Sequence, residues 1–204
     1  MPRAAISRLT RHSVPDWVFY PAAGLAACAM IAAALTMRPT GLTPTVTDTA
    51  FIVAGEALSD LIPGPGTSVR FDPTSSDGPV ARARADASFE AAGTMSAGVA
   101  AIPPPEFEDR IAGRRLRIEM QVRASSAAGP YTARIGYFTI GYGDSGWREV
   151  DLSPDWSTVS FEWTAPEDAV ANNNEAVGIW PDPEGLGREV VIRSIRVTIL
   201  PDGD

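Results

Sequence analysis

Hydrophobic and polar residues alternate in two quite different ways along this chain. From Trp17 to Met37 the sequence WVFYPAAGLAACAMIAAALTM runs for 21 residues without a charge. At about 1.5 Å of rise per residue such a helix spans roughly 30 Å, the hydrocarbon thickness of a bilayer. The pattern predicts one transmembrane helix over 17–37, with a basic arm at 1–16 before it and a Pro-bearing linker at 38–47 after it. Past the linker no stretch keeps helical periodicity. Short apolar alternations recur there between clusters of Gly, Pro, Asp and Asn, which predicts an all-β sandwich of the jelly-roll type over 48–204.

The strands are read from phase. Candidates are Asp48 to Ala54, Ser68 to Asp72, Val80 to Phe89 and Thr94 to Ile102, with one helical turn at Glu106 to Ile111. In RRLRIEMQVRA, Leu116, Ile118, Met120 and Val122 alternate with charged or polar residues, so one face covers a core and the other meets water or a partner. Thr132 to Ile140 and Arg148 to Leu152 are joined by the glycine-rich GYGDSGW. In WSTVSFEWTAP, Val159, Phe161 and Trp163 share the core side. Ala176 to Trp180 and Glu189 to Leu200 complete the set, and the apolar phase of the last shifts between Ile192 and Ile195 as a bulge requires.

Charge orients the molecule. Residues 1–40 carry a net of +3, whereas residues 41–204 hold 13 Arg against 24 Asp and Glu, a net of −11. The basic flank is expected in the cytoplasm and the acidic domain in the periplasm, on an inner membrane. All 17 basic residues are Arg, which together with abundant Ala reads as the coding bias of a high-GC bacterium. The acidic balance argues against nucleic acid as a partner. The single Cys, Cys28, excludes a disulfide framework.

The N-terminal run has three readings: a signal peptide cut after Ala34, a lipoprotein signal in which Leu25-Ala26-Ala27-Cys28 resembles a lipobox, and an uncleaved signal anchor. The length of the run and the apolar residues after Cys28 favour the anchor. Ala23 with Ala27, and Gly24 with Cys28, are four apart and share a helical face on which a second membrane helix packs closely.

The second half of the chain carries a further pattern. Ala112-Gly113-Arg114-Arg115-Leu116-Arg117-Ile118, the run from Gly146-Trp147 to Trp156, Phe161, and Val177-Gly178-Ile179-Trp180-Pro181-Asp182 with Val190 to Val197 resemble the galactose-binding-like jelly rolls that include many carbohydrate-binding modules. The resemblance implies the fold; members bind sugars, proteins or lipids or act as structural accessories, and fold does not choose among these.

Candidate chemistry is sparse. His12 is the only histidine and lies in the basic arm, which removes Ser-His-Asp hydrolysis and His-based metal sites from the outer domain. Glu106 with Glu108 and Asp151 with Asp155 are the carboxylate pairs a glycosidase would need. No cofactor motif is present, and Asp144, Asp182 and Glu184 are the oxygen-rich loop positions for a Ca²⁺ ion, without a repeated ligand spacing. Tyr142, Trp147 and Trp180 fall beside loops and are the candidate contacts to a sugar or a protein, or else caps on the sandwich ends. Three functions follow from this reading. The first is a non-enzymatic accessory subunit of a larger inner-membrane complex of respiratory or photosynthetic type, and the second a tethered protein binding envelope polysaccharide. The third is a carboxylate-dependent hydrolase.

Overall fold

The structure is a computed structural model, and it describes residues 16–36, 43–93, 96–125, 131–139, 143–167 and 175–201, with the side chains of the first helix described for 19–30. The chain divides into two compact units, Met1–Thr40 and Gly41–Asp204.

In the first unit, α1 runs Asp16–Thr36 and tolerates Pro21 within its second turn. Among the described residues no helix is long and apolar enough to cross a membrane. The backbone of α1 has nearly the expected bounds. The transmembrane helix expected over 17–37 is nonetheless not a finding of the structure. Ala23, Gly24, Ala27 and Cys28 are all exposed on α1, and a Cβ added at Gly24 would meet nothing within 4 Å.

The second unit is a β-sandwich of two antiparallel sheets. Its strands in chain order are β1 (Thr45–Val46), β2 (Ala50–Ala54), β3 (Ile62–Pro63), β4 (Thr67–Asp72), β5 (Val80–Ala85), β6 (Val99–Ala101) and β7 (Arg115–Ala124). They continue with β8 (Tyr131–Thr139), β9 (Gly143–Asp144), β10 (Arg148–Leu152), β11 (Ser157–Thr164), β12 (Glu175–Trp180) and β13 (Glu189–Ile199). Two short helices, α2 (Phe89–Ala92) and α3 (Pro105–Glu108), lie between them. The sheet starts earlier than expected, because Val46 packs against the core and pulls Thr45–Val46 out of the linker to pair with Phe51 and Ile52.

The larger sheet is built around β13, which pairs with β7 along one side and with β5 and then β2 along the other. A register shift between Ile192 and Ser194 supplies the expected bulge. It is needed because Val190 and Ile192 are separated from Ile195, Val197 and Ile199 by an odd interval, yet all five reach the core. On β7 the alternation holds throughout: Leu116, Ile118, Met120 and Val122 are fully buried and pack on the inner side. Strand β11 closes that edge with Val159, Phe161 and Trp163 half-buried against the core. The smaller sheet has the order β10-β8-β12-β6-β3, with β9 on β8. Its inner face presents Ala133, Ile135, Tyr137, Val177 and Ile179 to the same core.

Candidate functional site

Strand β8 sends Ile135 and Tyr137 inward, and the two-residue period therefore sends Arg134 and Phe138 outward. Beside it, β12 sends Trp180 outward, and the register sets Trp180 against Arg134 and Gly178 against Gly136. The glycines lower the face between the rings. A Cβ at Gly136 would stand 2.6 Å from the Phe138 ring, and one at Gly178 would stand 2.0 Å from the carbonyl oxygen of Ala97. The chain ahead of β6 thus lies directly on β12 at a point where only glycine leaves room.

Helix α2 completes the surface. Ser88 caps it by accepting from the Ala91 amide at 3.3 Å, and the Phe89 amide donates to Pro183 O at 2.9 Å. The Phe89 ring stands edge-on to both tryptophans, 5.6 Å from Trp180 and 5.7 Å from Trp147. Trp147 also packs on Phe138 at 4.8 Å. The Arg134 guanidinium lies 4.2 Å from the centre of the Phe89 ring and donates to Glu149 Oε1 at 2.8 Å. Phe89, Phe138 and Trp147 are half-buried, so each keeps part of its ring at the surface. An open groove of about 720 Å³ runs along this face between Ser88, Phe89, Glu90, Arg134, Pro183 and Glu184.

Trp180 is different. It has no exposed surface, and its indole Nε1 donates to Asp182 O at 3.1 Å. It supports Phe89 from below and offers no ring face to a ligand. Trp147 is the candidate that reaches the surface, and Tyr142 lies outside the described residues. Phe89, Phe138 and Arg134 join the site only in the fold. Phe138 had a visible signal in its position, since it is a large apolar residue out of phase with Ile135 and Tyr137.

The acidic candidates separate. Asp182 is fully buried and accepts from Arg188 Nε and from the Arg188 amide, each at 3.1 Å, while Glu184 takes the same guanidinium at 2.7 Å. Burial pushes the Asp182 carboxyl up, but the Arg188 hydrogen bonds and charge outweigh it and hold the group below the usual carboxylate value. The cation between Asp182 and Glu184 is thus a guanidinium of the chain itself. Asp144 is exposed and accepts from the Gly146 amide at 2.8 Å. Among the described residues no group of three or more His, Cys, Asp or Glu is arranged to hold a metal. Of the carboxylate pairs, Glu106 is exposed while Glu108 is buried on the same turn, and Asp151 and Asp155 are both exposed.

A buried acid that went unnoticed in the sequence lies inside the sandwich. Glu175, 2% exposed, accepts a hydrogen bond from the Tyr137 hydroxyl. Burial pushes its carboxyl up to about 7, with the Tyr137 donor acting against the rise and the charge of Glu108 adding to it. A second cavity, of about 610 Å³, opens where Val46, Phe51, Leu61, Ala101 and Ile102 line the sandwich end, with Asp60 and Glu106 on the same wall.

The solved structures that resemble this chain include carbohydrate-binding modules and an exo-beta-agarase. The N-terminal CBM22-1–CBM22-2 tandem domain of Paenibacillus barcinonensis Xyn10C matches with a TM-score of 0.50 at 6% identity, over 71% of this chain and 43% of that one. The likeness is one of fold. The CBM22-1 xylan-binding domain of the same protein matches at 6% identity with a TM-score of 0.49, over 70% of this chain and 87% of that one. The CBM22-1–GH10 modules of Clostridium thermocellum Xyn10B, complexed with xylohexaose, match at 12% identity with a TM-score of 0.49, over 74% of this chain and 26% of that one. No known family description matches the sequence, and no curated protein does either.

Proposed function

We propose that the sandwich is a non-catalytic glycan-binding module and that the groove beside Trp147 is its binding site. The observation that carries this is the linked set of half-buried rings, Phe89, Phe138 and Trp147, bordered by the Arg134–Glu149 pair. Sugar rings offer a C–H face to aromatic side chains and hydroxyls to charged ones, and this surface has both. Xylan is one of the polysaccharides to titrate, a xylan-binding domain being among the structures of similar fold. The test is calorimetry of the purified full chain against xylan and a panel of neutral glycans, repeated with Trp147→Ala. Binding that weakens about tenfold or more in the variant, with the melting temperature held within a few degrees, supports the site. A panel without binding, or a variant that binds as the wild type does, refutes it. Release of reducing ends from a bound glycan would replace the binding reading with a hydrolytic one.

The proposal includes a tether. Helix α1 exposes Leu25 at 73% and Met30 at 67%, which suits burial in lipid, and the surrounding run has no charge between Asp16 and Arg38. The bacterial inner membrane with the module in the periplasm remains the proposed location. Retention of the chain in alkaline-washed membranes supports this, and release into the wash refutes it. The exposed face of Ala23, Gly24, Ala27 and Cys28 leaves the accessory-subunit role as a second reading, which a stoichiometric membrane partner in mild detergent would favour.

A further inference from the structure

The outer face of the larger sheet has a charge opposite to that of the domain carrying it. Strand β7 places three arginines there, β5 and β13 two each, and β4 one, so the face holds eight of the 13 arginines in residues 41–204. The same sheet places four carboxylates on it, those of Asp72, Glu119, Glu162 and Glu189. Asp77 and Asp86 reach the face from adjoining loops, and arginine remains in excess. At physiological salt the Debye length is about 8 Å, so a ligand on this face responds to it more than to the remaining, strongly acidic surface.

The arginines form a row. Register sets Arg70 beside Arg82, Arg82 beside Val191, and Val191 beside Arg123. Four strands at about 4.8 Å spacing make this row roughly 14 Å long. Trp156 lies at its end, with the Arg193 guanidinium 4.0 Å and the Arg123 guanidinium 5.2 Å from its ring centre. Acids hold the row in place: Asp72 and Glu189 take Arg82 at 3.2 and 3.0 Å, and Asp77 takes Arg123 at 3.0 Å. Its capacity is not used up. Arg70 and Arg196 are exposed and make no ion pair among the described residues, and Arg193 Nε is buried without a hydrogen-bond partner there. Arg70 and Arg82 stand directly opposite each other, an arrangement of like charges that an anion between them relieves.

We propose that this face is a second docking surface and that its occupant is a polysaccharide bearing uronic acids. Guanidinium groups match carboxylates two bonds at a time, and Trp156 adds a ring for a sugar plane. The interleaved carboxylates decide between polymer and membrane. A uronate chain presents hydroxyl donors as well as carboxylates, so it satisfies Asp72, Glu189 and Glu119 while its acids meet the arginines. An anionic bilayer presents negative charge to all of them alike. The proposal stands on different strands from the groove and does not rest on the groove binding a glycan.

The experiment titrates polygalacturonate into the purified full chain and compares wild type with the double variant Arg70→Glu/Arg196→Glu, whose exposed side chains leave the core intact. Trp147→Ala is carried alongside. The expected result is binding that weakens about tenfold from 50 to 300 mM NaCl, that falls at least about tenfold in the double variant, and that Trp147→Ala leaves unchanged. Absence of binding at low salt, or equal binding by the double variant, overturns the proposal. So does loss of polygalacturonate binding in Trp147→Ala, which would move the polyanion to the groove. Phosphatidylglycerol vesicles are the last arm: capture that falls with Arg70→Glu/Arg196→Glu would assign the face to a membrane surface instead, and capture independent of those arginines agrees with the glycan.

Discussion

Replacing Glu175 by glutamine isolates an acid that the sandwich interior holds near neutrality. Its carboxyl is buried, accepts from Tyr137 and titrates at about 7 instead of the ordinary 4.5, burial being the main cause. A carboxyl whose folded pKa lies above its unfolded one binds its proton more tightly in the folded state. Its contribution to stability is complete below about pH 4.5 and is lost as the pH rises through about 7. The gap from 4.5 to about 7, at roughly 1.4 kcal/mol per pH unit, amounts to about 3 kcal/mol. Glutamine keeps an oxygen to accept from the Tyr137 hydroxyl and has no charge to bury at any pH. Glu175→Gln should therefore match wild type near pH 4.5 and exceed it by about 3 kcal/mol at pH 8, a rise of roughly 6–12 °C in melting temperature for a domain of this size. Urea unfolding followed by tryptophan fluorescence at several pH values, read as the difference between the two proteins, cancels the carboxylates common to both. A difference that stays flat from pH 4.5 to 8, or a variant less stable at pH 8, would refute the reasoning.

Two further outcomes follow from the smaller sheet and its loops. Arg188→Ala strands the fully buried Asp182 carboxylate with only the Glu184 and Arg188 amides, and should cost about 3 kcal/mol at pH 7 in chemical denaturation. Because Arg188 keeps the Asp182 pKa low, the contribution of that pair is present above the carboxylate range and lost as pH falls through it, so the penalty should shrink toward pH 3; a penalty below about 1 kcal/mol at pH 7 would count against it. Gly178→Ala drives a methyl to within 2.0 Å of the Ala97 carbonyl oxygen and should lower stability by about 2–3 kcal/mol, and an unchanged melting temperature would show that the 96–98 segment yields freely.

The fold was legible wherever burial imposed a period. Strand β10 has the bounds read from its alternation, β7 and β11 differ from theirs by a residue or so, and the bulge in β13 was visible as the odd interval between Ile192 and Ile195. The pattern from Val80 predicts a strand extending to Phe89, yet β5 ends at Ala85, because Ser88 caps a helix turn and sends Phe89 across the face of the other sheet. That single departure hid the groove. The linked rings on its face come from residues 89, 138 and 147, carried by a helix turn, a strand and a loop, and no local pattern joins positions so far apart. Trp180 shows the same limit from the other side: it sits beside a loop in sequence, yet α2 lies over it and it is fully buried.

Charge is where sequence and structure differ most in what they permit. A net of −11 over residues 41–204 argues against any polyanionic partner so long as the charge is treated as evenly spread. Period-two alternation already put Arg115, Arg117 and Arg123 on the water side of β7. What alternation does not contain is lateral register, which aligns Arg82 and Arg70 of two other strands beside Arg123 across β13. Register is fixed by which apolar residues meet in the core, so the row of arginines outside follows from the packing inside. A domain acidic on average thereby presents one basic, aromatic-ended face and, on the opposite sheet, an aromatic groove whose charges are paired as Arg134 with Glu149. The two faces are chemically distinct enough that a neutral and an acidic glycan need not compete, and simultaneous titration of xylan and polygalacturonate would show additive heats if each keeps to its own sheet.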